Sequence, residues 1–152
     1  MISHKSLLHI FYSPDILYEN ETRSSPTKIL SIRANETVTE AIWEEVSSHL
    51  QAWIPQASSF TRSSLYGIRV YTSGSILAPH VDRDPLISSA IINVDQRVTE
   101  PWPLEVYDHG GRAHNLTLEP GEIILYESHS ILHGEILVIR WIILFINTIL
   151  FI

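Results

Sequence analysis

The sequence contains no cysteine and one methionine, and its 10 basic residues are outnumbered by 17 acidic ones. Without cysteine there can be no disulfide framework, thiolate zinc site or cysteine nucleophile, although the redox compartment stays undecided. A net charge of −7 removes the cationic surplus that a general nucleic-acid binder uses to displace counterions from phosphates, so nucleic acid is not an expected partner. No small-residue cleavage site follows the short apolar run Leu7–Tyr12, and a secretory leader is not expected. Long apolar runs are also scarce. From Ile136 to Ile152 only Arg140, Asn147 and Thr148 break the apolar character, but these 17 residues fall short of the roughly 20 that span a bilayer. The segment reads as a buried final strand rather than a membrane tail.

What is present suits one globular domain. The 152 residues are 45% hydrophobic, enough for a sizeable core and too apolar for a disordered chain. Residues 1–63 form an N-terminal lead-in with one helix, and the polar stretch Glu19–Thr27 reads as a loop. Thr37 and Glu40 have capping-box spacing. Beyond them Ile42, Val46, Leu50 and Trp53 recur at four, four and three residues, one face of a helix over 37–53 that Pro55 stops.

From residue 64 to 152 the period shortens. Runs rich in β-branched and aromatic residues alternate with turn residues. Strands are expected near Tyr66–Tyr71, Ser75–Val81, Ile87–Val94, Pro103–Tyr107, Arg112–Leu118, Glu122–Tyr126, Ser130–Gly134 and Leu137–Phe145. Eight is the strand count of a double-sheet jelly roll. The expected fold is therefore mainly β, with a helix packed outside.

The residues that carry chemistry lie in this second part. His80-Val81-Asp82 places two ligand-type side chains on one side of an extended chain, because strand side chains alternate. His133, 53 residues later, is followed by Gly134 and ends a turn, an apolar strand and a second turn that begin at Pro120. Two histidines and one carboxylate on one face of a metal leave positions open, the triad of non-haem Fe(II) oxygenases. His129 is a rival, four residues before His133. His109 and His114 sit beside Gly110-Gly111 and read as hairpin-loop residues; Arg69 shares the parity of Tyr71 and reads as a packing or solvent-exposed residue.

The stretch Tyr66–Gly134 resembles the catalytic jelly roll of the 2-oxoglutarate/Fe(II)-dependent dioxygenases, most closely the prolyl 4-hydroxylase-like branch. Tyr71 precedes His80 by nine residues, as a tyrosine does in that branch, and Gly74, Pro79, the strand after Trp102 and Pro120–Gly134 also fit. The resemblance implies Fe(II) held by His80, Asp82 and His133, 2-oxoglutarate as cosubstrate with Tyr71 on its distal carboxylate, and O₂. No catalytic residue is implied beyond the metal centre. It further implies ascorbate as an accessory reductant and hydroxylation of prolyl residues in a peptide or protein, although nothing in the residues selects proline over a small-molecule C–H donor. The branch places a basic residue about ten positions after the distal histidine. Position 143 here is Ile143, and the neighbouring base is Arg140, seven residues on. That odd offset turns Arg140 away from the site unless a β-bulge restores it. Beside the hydroxylase stand two other readings: an impaired dioxygenase-like jelly roll that binds metal without turning over, and a cupin-like metal-binding module.

Overall fold

The computed structural model of the chain describes residues 2–6, 18–20, 28–31, 36–71, 77–84, 86–135 and 143–151. Its elements run β1 (Ile2–Ser6), β2 (Tyr18–Asn20), β3 (Lys28–Ser31), α1 (Glu36–Trp53), β4 (Thr61–Tyr71), β5 (Leu77–His80), β6 (Ser88–Gln96), β7 (Leu104–Tyr107), β8 (Ala113–Leu116), β9 (Glu122–Tyr126), β10 (His133–Glu135) and β11 (Ile143–Phe151). Two antiparallel sheets result. The larger has seven strands in the order β1-β9-β6-β11-β4-β3-β2, and the smaller has four in the order β5-β10-β7-β8. The protein is a mainly β jelly roll with one N-terminal helix.

Helix α1 covers one face of the larger sheet. Ile42, Val46 and Leu50 are fully buried there with Ile68, Ala90, Ile92, Ile123 and Leu125, while Trp53 packs half-buried at the rim. The amide of Ile54 still bonds to the Leu50 carbonyl at 2.8 Å, and Pro55 follows. A second core lies between the sheets, built from Tyr71, Ile91, Leu104, Val106, Leu118, Ile124, Tyr126 and Ile131. Alternation divides the residues: Ala90, Ile92, Ile123 and Leu125 face the helix, whereas Ile91, Ile124 and Tyr126 face the smaller sheet. Because both faces are covered, β6 is buried along its first six residues.

Two sequence expectations need correction. The lead-in contributes three strands to the larger sheet, and β2 occupies Tyr18–Asn20, at the edge of the stretch expected to be loop. Three polar residues carry no period of their own; pairing with β3 makes them a strand. The described part of the final strand is Ile143–Phe151, which runs past the expected end at Phe145, while positions 137–142 of the expected strand lie outside the described residues. An apolar run without internal turn residues has nothing to mark where it ends. Its position explains its composition, since β11 is the central strand, paired with β4 on one side and β6 on the other. Among the described residues no helix is long and apolar enough to cross a membrane.

Candidate metal centre

β5 and β10 form one end of the smaller sheet, and their register sets His133 directly opposite His80. This pairing needs the glycine that follows. A Cβ on Gly134 would lie 2.8 Å from the Leu77 carbonyl oxygen and 2.8 Å from Pro79 Cα and N, closer than packed atoms tolerate. Pro79 lacks an amide, which an edge strand such as β5 accommodates. After His80 the chain stays extended: Val81 points to solvent and Asp82 turns back inward, its amide bonded to the Ser128 carbonyl at 2.8 Å.

Three ligand atoms converge as a result. His80 Nε2 stands 3.7 Å from Asp82 Oδ1, and His133 Nε2 stands 3.9 Å from the same oxygen. The two imidazoles are tilted by 48° with centroids 4.4 Å apart. Among the described residues this is the group of three acidic or histidine side chains able to hold a metal ion. Both histidines are oriented from behind: Nδ1 of His80 donates to the Ala78 carbonyl and Nδ1 of His133 to the Ile131 carbonyl, each at 2.9 Å. With the proton on Nδ1, the Nε2 lone pair is left to a metal. Donors at about 2.1 Å on right-angled positions around an ion lie about 3 Å apart, so each imidazole nitrogen needs to close on the Asp82 oxygen by less than about an ångström. Two imidazoles and one carboxylate fit a divalent iron.

The surroundings differ for each ligand. His133 is almost fully buried and His80 is half-exposed, so the cluster has a protected and an open side. Burial, with His80 close by, holds His133 below the ordinary histidine range, which keeps it a neutral ligand at neutral pH. The other carboxylate oxygen, Asp82 Oδ2, lies 3.2 Å from Ser89 Oγ, which lies 2.6 Å from Ser128 Oγ; Ser128 in turn donates to the Leu86 carbonyl at 3.0 Å. The Tyr126 ring meets His133 edge-on at 4.7 Å, with its hydroxyl 3.4 Å from Nε2. Burial, followed by the Asp82 charge, pushes that phenol well above its usual range, so it stays a donor.

Other sequence candidates fall elsewhere. His129 lies in the turn before β10, exposed, with Nδ1 3.3 Å from the Asp82 carbonyl oxygen and its ring outside the cluster. His109 pairs with Glu127 at 2.7 Å and His114 with Asp108 at 2.9 Å, in and beside the β7–β8 hairpin loop. His49 bonds to Glu45 at 3.2 Å on the helix surface. Tyr71 lies on the inward face of β4, buried, with Trp102 edge-on at 5.2 Å. Arg140 lies outside the described residues. Sequence reasoning missed Ser89, Ser128 and Tyr126. The two serines meet 39 residues apart, and an isolated hydroxyl in a strand or turn gives no signal of such a meeting.

No protein-family model matches the chain, and no curated protein does either. Solved structures do. An oxidoreductase of the 2OG-Fe(II) oxygenase family from Burkholderia pseudomallei superposes with a TM-score of 0.66 at 12% identity, over 99% of this chain and 68% of its own. A Pseudomonas putida prolyl-4-hydroxylase gives 0.64 at 14% identity, over 97% and 91%. The viral collagen prolyl hydroxylase of Paramecium Bursaria Chlorella virus-1, solved as a 2OG complex, gives 0.62 at 13% identity, over 85% and 80%. The protein has the jelly-roll fold of the 2OG-Fe(II) oxygenases, prolyl 4-hydroxylases among them.

Proposed function

We propose that the chain is an Fe(II)- and 2-oxoglutarate-dependent hydroxylase that holds its iron with His80, Asp82 and His133. The observation that carries this reading is the convergence of two Nε2 atoms and one carboxylate oxygen on a common point, each imidazole already fixed in the ligating tautomer by a backbone carbonyl. Bound there with 2-oxoglutarate and O₂, iron supplies the oxidant for C–H hydroxylation. The chain's own residues bind, orient and shield. Ser89 steadies the Asp82 carboxylate, Tyr126 packs on the buried ligand, and the apolar residues between the sheets keep water from one side of the centre. Tyr71 serves the distal carboxylate of the cosubstrate. Prolyl residues of a peptide or protein are the proposed substrate class, on the strength of the activities named for two of the structural neighbours, and ascorbate is the proposed accessory reductant.

The test is anaerobic titration of the protein with Fe(II) and then 2-oxoglutarate, followed by the weak visible charge-transfer band of the chelate. The band is expected, and after admission of O₂ and ascorbate so is succinate. Iron binding without the band or succinate would instead establish a metal-binding jelly roll that does not turn over.

A further inference from the structure

The β6–β9 register sets Ser89 opposite Tyr126, and the turn after β9 brings Ser128 to Ser89. Ser128 fastens the connection between Asp82 and β6 at both ends. Its carbonyl accepts the Asp82 amide at 2.8 Å, and its hydroxyl donates to the Leu86 carbonyl at 3.0 Å. Ser89 Oγ then has two acceptors in reach, Ser128 Oγ at 2.6 Å and Asp82 Oδ2 at 3.2 Å. A hydroxyl carries one proton. The two serines therefore bring two protons to three acceptors: the Leu86 carbonyl, Ser128 Oγ and Asp82 Oδ2. Ser89 is 1% exposed and Ser128 fully buried, so bulk water does not make up the deficit at either hydroxyl.

The shorter contact decides how the Ser89 proton is shared. With its own proton on Leu86, Ser128 Oγ draws the Ser89 proton toward itself and leaves Asp82 Oδ2 the longer bond. We propose that Ser128 is a positioning residue acting through Ser89: it competes with Asp82 for the Ser89 proton and so tempers the grip of the centre on its metal. This rests on the metal-centre reading above. A hydrogen bond to the far oxygen of a ligating carboxylate orients that ligand and strengthens the site. Loss of the Ser89 hydroxyl removes that bond, whereas loss of the Ser128 hydroxyl releases the proton to Asp82. The two serines therefore act on metal affinity with opposite signs. Two serines that served only to hold the loop would act with the same sign, since removing either would loosen Asp82.

The experiment is a double-mutant cycle on the full chain with Co(II) as the probe. It is read as affinity by calorimetry and as the visible ligand-field bands of the bound ion, rather than as turnover. Ser89→Ala is expected to lower Co(II) affinity about tenfold. Ser128→Ala should raise it about threefold, a fraction of one charge-assisted hydrogen bond, and should move the bands in the direction opposite to Ser89→Ala. In the Ser89→Ala background the same change should alter affinity by less than about 1.5-fold, because the disputed proton is gone. Unchanged or weaker binding by Ser128→Ala would overturn the proposal, as would band shifts of the same direction in the two single variants or an equal effect in both backgrounds. Should Ser128→Ala fail to fold, Ser128→Gly removes the same hydroxyl; tighter binding than the wild type supports the proposal, and equal or weaker binding overturns it. A wild type that binds no Co(II) overturns the metal-centre reading together with this one, an outcome distinct from the variant results.

Discussion

On its helix side the larger sheet presents Ile68, Ala90, Ile92, Ile123 and Leu125 to Ile42, Val46 and Leu50, a core of aliphatic side chains. The same strands turn Ser89, Asn93, Tyr126, Arg69 and Tyr71 toward the smaller sheet, where His80, Asp82 and His133 meet. One strand thus serves two environments, and a shift of one residue in register would exchange them. The comparison teaches where stability and chemistry reside. Among the described residues the helix-side face is mostly aliphatic, with Ser88 and the Trp53 indole as its buried polar groups, and its stability comes from apolar area. The inward face buries serines, an asparagine and a histidine, each of which costs free energy unless bonded. Its polar groups are kept because they position something.

The sharpest way to break the comparison is to remove a ligand. Asp82→Ala or His133→Ala should weaken Mn(II) or Fe(II) binding by more than about 100-fold, beyond what loss of an outer partner costs, with circular dichroism unchanged. Retained metal affinity in both variants would place the centre elsewhere. Leu50→Ala tests the opposite face. A fully buried leucine cut to alanine should cost about 2–5 kcal/mol, read in urea unfolding as a lower midpoint, while the folded fraction binds metal as the wild type does. Ser89→Ala lies between the two. It leaves Asp82 Oδ2 without its hydroxyl neighbour and should lower metal affinity by about tenfold, measured by the same titration. The smallest effect belongs to the hairpin beyond the site. The His114 hydrogen bond, helped by the amides of Arg112 and Gly110, draws the Asp108 carboxyl down to about 2. A pKa depressed in the folded state means stability present above the unfolded value and lost as pH falls through about 2. Carboxyl NMR should show that midpoint, and Asp108→Asn should leave metal binding unchanged.

The two faces were also unequally legible in the sequence. The helix-side face announces itself through Ile42, Val46 and Leu50 at helical spacing, and α1 spans Glu36–Trp53 against an expected 37–53. His80 and Asp82 could be paired from strand parity alone, and His133 from the turn-strand-turn stretch that precedes it. The convergence of their ligand atoms follows from the β5–β10 register, which Gly134 permits and a one-dimensional reading can only suggest. Strand parity matched Arg69 to Tyr71, whereas Ser89 and Ser128 were not legible as neighbours of the site. Their meaning depends on strands that come together across 20 to 60 or so residues of chain, and no local period encodes such distances. β2 stayed hidden for a related reason, since its three polar residues gain strand character from a partner.

The central place of β11 has a consequence for how the protein is made. β4 and β6 lie next to it on either side, yet both leave the ribosome well before it. Until residues 143–151 arrive, each of those strands presents an unpaired edge, and Ile91 and Ile92 on β6 are among the residues the finished protein buries. Open apolar edges recruit other chains. Closure of the larger sheet waits on contacts distant in sequence, which are slow to form. The period of greatest risk for this chain is therefore the interval between synthesis of β6 and docking of β11, and a chaperone that shields strand edges during that interval should raise its soluble yield.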